Sequence, residues 1–72
     1  MLQKHELYII KRGKQYLVGN PFNSDCACRL SPSPWDAYKA KNFNMMIRVA
    51  KLIGGKVMVF NQVNGNIAGG WK

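Results

Sequence analysis

One histidine, His5, two cysteines, Cys26 and Cys28, and three acids, Glu6, Asp25 and Asp36, are all this 72-residue chain holds for proton transfer, thiol chemistry or metal binding. General acid–base catalysis wants carboxylates paired on one local face, and no two of these acids are placed so. A thiol beside His5 would make a nucleophile and its base, but nothing in the pattern brings His5 to either cysteine. The three residues together lack a fourth zinc ligand, and the single residue between the cysteines falls short of the usual spacing of about two to four. A bridge within Cys26-Ala27-Cys28 would be strained, because both side chains leave the same face of an extended chain. They read as reduced thiols of a cytosolic protein. Gly54-Gly55-Lys56 lacks the spacing and the following hydroxyl of a phosphate-binding loop, and Gly54 ends a helix instead of opening one. The expectation is a protein that is not an enzyme and holds no cofactor or metal.

Charge is the stronger signal. Eleven lysines and arginines against three acids give a net charge of +8. Such a field attracts polyanions, which points to nucleic acid or an acidic protein surface as partner, the bland alternative being a charge that keeps the protein soluble. Tyr8, Tyr16, Trp35, Tyr38 and Trp71 are distributed among Lys11, Arg12, Lys14, Lys39, Lys41 and Lys72. Basic residues beside aromatic ones suit phosphate neutralisation with stacking of an exposed base on a ring. The simpler expectation for Tyr8 or Tyr16, and for Trp35, is packing against the helix, since a small core needs large side chains. The cations form two groups, one at a hairpin tip and one formed by Lys39, Lys41, Arg48 and Lys51 around a helix. The candidate binding residues are Lys11, Arg12, Lys14, Lys41, Arg48 and Lys51.

The elements that must position these groups follow from periodicity and punctuation. Leu7 to Lys11 and Tyr16 to Val18 are rich in aromatic and β-branched types and read as a β-hairpin, with Gly13 supplying the positive φ of the turn. Tyr8 and Ile10 share one face of it, Leu7 and Ile9 the other. Residues 19–33 are a loop with a short extended piece at Cys28 to Leu30. Ser33-Pro34-Trp35-Asp36 starts a helical turn, Pro34 to Tyr38, with Ser33 as cap and Asp36 bonding back, and Asn42 interrupts it. Asn44 caps the principal helix, Met45 to Ile53, whose Met46, Val49, Ala50 and Ile53 face the core, and Gly54 ends it. Lys56 to Phe60 is a strand apolar on both faces, suited to a central position. Asn64-Gly65 is a turn, Asn66 to Ala68 pairs back briefly, and the glycines make residues 66–72 a mobile tail. The fold expected is α+β: one small ββαβ-type domain over residues 1–72, with an antiparallel sheet of three or four strands packed on one principal helix.

A core this small supplies only about 3–5 kcal/mol, so a homodimer is a standing expectation. The start of the chain has no apolar stretch of signal-peptide type, and the longest apolar run, Val57 to Phe60, is far shorter than the ~20 residues of a membrane span. The expected location is the cytoplasm, with no membrane partner.

The order of Tyr8-Ile9-Ile10-Lys11, Tyr16-Leu17-Val18, Ala40-Lys41-Asn42-Phe43, Val49-Ala50-Lys51 and Gly54-Gly55-Lys56-Val57 resembles small accessory proteins of phages and prophages of Gram-positive bacteria. The resemblance spans roughly residues 7–61, rests on the framework, and carries over no functional residue. It implies a context, the host-cell cytoplasm and a host or phage nucleoprotein complex as partner. Two function classes follow: a non-enzymatic protein that binds nucleic acid or a nucleoprotein complex through its basic surface, and a protein inhibitor of a host defence enzyme such as a CRISPR or restriction nuclease.

Overall fold

A computed structural model describes residues 4–19 and 29–71. The order of elements is β1 (Glu6–Arg12), β2 (Gln15–Val18), β3 (Arg29–Ser31), a 3₁₀ turn (Pro34–Asp36), α1 (Phe43–Ile53), β4 (Lys56–Asn61) and β5 (Ile67–Trp71). The fold is α+β, with one antiparallel five-stranded sheet in the order β3-β2-β1-β4-β5 and one principal helix packed on β1 and β4. Three or four strands were expected. The count rises because Arg29–Ser31 adds to the outside of β2 and the glycine-rich tail adds to the outside of β4. Residues 67–71, expected to pair back only briefly, form an edge strand, with Phe60 paired to Ile67, Val59 to Ala68 and Val57 to Trp71. Lys72, Cys26 and Cys28 lie outside the described residues.

The central strand is β1. Its adjacent residues Ile9 and Ile10 are both fully buried, which requires cover on both faces of the sheet because successive side chains point opposite ways. On one face Ile10, Leu17 and Val57 pack against Met46, Val49 and Ala50 of α1. On the other, Ile9, Tyr16 and Phe60 pack with Ala37 from the segment after the 3₁₀ turn. Tyr8 meets the helix through Phe43, edge to face at 5.3 Å, as expected. Tyr16 and Trp35 belong to the opposite face, the Trp35 and Phe60 rings perpendicular with centroids 4.9 Å apart.

The hairpin is closed only at its tip, where Lys11 pairs with Tyr16 and Arg12 with Gln15 around Gly13-Lys14. Below that the strands part. Tyr38 N–H donates to the Leu17 carbonyl at 2.9 Å, and Ala40 exchanges two hydrogen bonds with Tyr8 at 2.8 and 3.1 Å. Residues 37–40 thus enter the open end of the hairpin and carry the chain from the face of Ala37 to the face of Tyr38 and Phe43.

Local signals differ from expectation by small steps. The turn at Pro34–Asp36 is 3₁₀ and stops before Tyr38; Ser33 makes no side-chain cap, and the Asp36 carboxylate instead accepts from the Ser31 hydroxyl at 3.3 Å. The helix begins at Phe43, not Met45, because Asn42 is its cap: the Asn42 side-chain oxygen accepts from Met45 N–H at 3.2 Å. Starting two residues earlier also brings Phe43 onto Tyr8. Gly54, with φ 73°, ends the helix, and Lys51 lies in its last turn, where the exposed carbonyls favour a cation.

Gly55 is where helix, turn and sheet meet. A Cβ there would stand 2.8 Å from the Lys11 carbonyl oxygen and 3.1 Å from Ile10 Cγ2, backbone and core atoms that cannot swing aside. Gly55→Ala is expected to destabilise the fold by about 1–3 kcal/mol, the usual cost of overpacking, read as a lower denaturation midpoint at unchanged slope.

Candidate functional site

The six basic residues singled out in the sequence do not form one cluster. Lys11, Arg12 and Lys14 are together at the hairpin tip, as the turn requires. Lys51 lies at the same end of the molecule, since α1 ends at Gly54 and Gly55 abuts Ile10 and Lys11. Lys41 precedes the other end of a helix of 11 residues, about 16 Å away, with exposed Arg48 between. Lys39 is not beside the helix. It reaches the opposite face, where its ammonium donates to the Trp35 and Ala37 carbonyls at 2.7 and 3.0 Å and lies 5.5 Å from the centre of the Phe60 ring.

A fifth cation completes the hairpin end. Lys56 starts β4 directly opposite Lys11 in the β1–β4 register. Both follow Ile9 and Met58 in alternation, so they share the face away from the helix. Periodicity in either segment could not reveal this, because the pairing depends on which residues of two distant strands are aligned. The two lysines line a hollow of about 370 Å³ whose other walls are Met58 and the backbone of Gly13, Gly54, Gly55, Gly69 and Gly70. Glycine walls leave the hollow open, so Lys11, Lys56 and Met58 supply its side chains.

Facing like charges on neighbouring strands repel, by about 0.2–1 kcal/mol in the exposed range. Lys11 is half-buried and its ammonium leans to the β2 side, 5.9 Å from the centre of the Tyr16 ring, where the π face offers modest compensation. The chain owns eleven cations and three acids, so at least eight have no acid to pair with one to one. Positive charge at this end is therefore in excess. Among the described residues, no group of three histidines, cysteines or acids is gathered that could hold a metal ion.

The repulsion is measurable. In a double-mutant cycle of Lys11→Gln and Lys56→Gln, the coupling is expected to be of repulsive sign, about 0.2–1 kcal/mol at low ionic strength, and to shrink at about 1 M salt. Additive effects at every salt concentration would show that the two ammonium groups do not sense each other.

Against protein-family models, curated proteins and solved structures, the chain matches none, so its own geometry carries the functional argument.

Proposed function

We propose that this protein is a non-enzymatic binder of nucleic acid, engaging phosphates through the basic end formed by Lys11, Arg12, Lys14, Lys51 and Lys56. The observation that carries the reading is the facing Lys11–Lys56 pair beside the hairpin tip. Two lysines in register across a strand pair are unfavourable in isolation and become favourable once a phosphate stands between them. Arg48 and Lys41 add positive charge along α1, on the other side of the sheet from the Lys11–Lys56 pair, and raise the overall attraction for a polyanion without lining its path.

The mechanism is counterion release. Each phosphate neutralised by a lysine or arginine frees condensed cations from the nucleic acid, and the affinity then depends steeply on salt. Four neutralised phosphates of a duplex correspond to a log–log slope of roughly −3.6. Hydrogen bonds from ammonium groups to phosphate position the ligand without reading sequence. A host or phage nucleoprotein complex would be met through the same surface, in keeping with the resemblance to phage accessory proteins.

The test is a titration against short DNA and RNA at about 50 and about 200 mM salt, an interval over which affinity should fall roughly 10²-fold for that slope. Arg12→Ala with Lys14→Ala removes two exposed cations from a turn that takes no part in either core cluster. The fold should be retained and the slope should flatten by roughly 1.8. Absence of binding at the lower salt would overturn the reading and leave an acidic protein face as the partner to seek.

A further inference from the structure

The sheet face that bears Lys11 and Lys56 also bears an aromatic ring that the core does not use up. Trp35 is 53% exposed, although it is one of the largest apolar side chains in the protein. Its exposure is not looseness. Its ring stands perpendicular to the Phe60 ring, centroids 4.9 Å apart at 89°, and its six-membered ring lies so close to Gly65 that a Cβ there would stand 2.9 Å from Trp35 Cζ2. Gly65 has φ 75° and its N–H is held by the Asn61 carbonyl at 2.8 Å, so the surface under the ring is fixed. Lys39 fixes the backbone from which Trp35 departs, through its bond to the Trp35 carbonyl. The ring is thus held on two sides and open to solvent elsewhere.

Phe60, against which Trp35 stands, and Lys56 belong to the same face of β4, four residues or about 14 Å apart. The outer face of β4 therefore has Lys56, with Lys11 opposite it, at one end and the exposed, immobilised indole of Trp35 against Phe60 at the other, with part-buried Met58 between them. Stacking on an indole requires a base with a free π face, which a single strand offers and the interior of a duplex does not.

We infer that the ligand is single-stranded nucleic acid lying along the outer face of β4, with a phosphate at Lys11 and Lys56 and an unpaired base stacked on Trp35. This deepens the nucleic-acid reading above and rests on it. Stacking is tolerant of base identity, so sequence preference should be weak.

The experiment uses the full chain carrying Trp71→Phe, which leaves Trp35 as the sole indole. It is titrated with a short oligothymidylate and with a hairpin duplex of equal charge, at one salt concentration, following emission and affinity together. Trp35 emission should be quenched by the oligothymidylate and not by the duplex, and the single strand should bind more tightly. Trp35→Ala should weaken single-strand binding roughly 5- to 150-fold, the range for one base–aromatic stack, with little effect on the duplex. Because that change also removes a partner of Phe60, Lys56→Gln serves as the second variant: it should weaken the single-strand complex and leave the quench at saturation intact. Salt-dependent binding of both ligands with unchanged emission and equal affinity would overturn the single-strand inference and leave the nucleic-acid reading standing. Failure of both ligands to bind at low salt would overturn the two together.

Discussion

Ala40 gives and receives a backbone hydrogen bond with Tyr8, and Tyr38 donates one to Leu17, so residues 37–40 occupy the opening where β1 and β2 part. Backbone polar groups in a sheet interior must be paired, and a hairpin that opened without a replacement strand would leave those of Tyr8 and Leu17 unmet. The inserted segment supplies the partners and moves the chain from one face of the sheet to the other. The 3₁₀ turn and Ala37 at the start of the segment cover Ile9 and Phe60; Phe43 and α1 after it cover Ile10 and Val57. A sheet of short strands in a chain of this size thereby acquires a layer on each side, and that two-sided burial lets β1 and β4 be apolar on both faces.

How much of this could be read from the residues depends on whether the cause was local. The turn at Gly13, the helix face of Met46, Val49 and Ala50 and its stop at Gly54 each follow from a few neighbouring residues, and each stands where the sequence places it. Asn42 shows the limit, because its polar side chain reads equally as an interruption or as a cap, and Phe43 meeting Tyr8 decides between them. Ile67–Trp71 shows it more sharply. Its glycines disfavour a strand, and the pairing with β4, together with the perpendicular ring contacts of Trp71 with Tyr8 and Phe43 at 6.5 and 5.6 Å, overrides that preference. The basic end was legible only in part for the same reason: Lys11, Arg12 and Lys14 are neighbours in sequence, whereas Lys56 joins them through a register that no segment contains alone.

Magnitudes explain why so much like charge is tolerated at one end. Ile9, Ile10, Leu17, Met46, Val57 and Phe60 are essentially fully buried, and each contributes about 1.5–3 kcal/mol relative to an exposed side chain. Against that, the Lys11–Lys56 repulsion is a few tenths to about 1 kcal/mol, and the cations at the tip are exposed to water that screens them. Electrostatic strain of this size cannot unfold the domain, but it is large enough to bias binding, since about 1.4 kcal/mol is a tenfold change in affinity.

The placement of the charges separates them from the core in a second way. Gly13, Gly54 and Gly55 form the bends at the hairpin end, and having no side chains they let the tip of β1–β2, the end of α1 and the start of β4 come within reach of one hollow. A side chain at Gly55 would push Lys11 away from β4, so the glycine that the fold needs for close approach is also what brings the cations to a common site. Structural and electrostatic demands coincide at that position, while Arg12 and Lys14, beyond the last core contact, are free of the structural one. The hairpin tip can therefore change its charge with little effect on stability, whereas the geometry of the Lys11–Lys56 pair is tied to the packing of the whole domain.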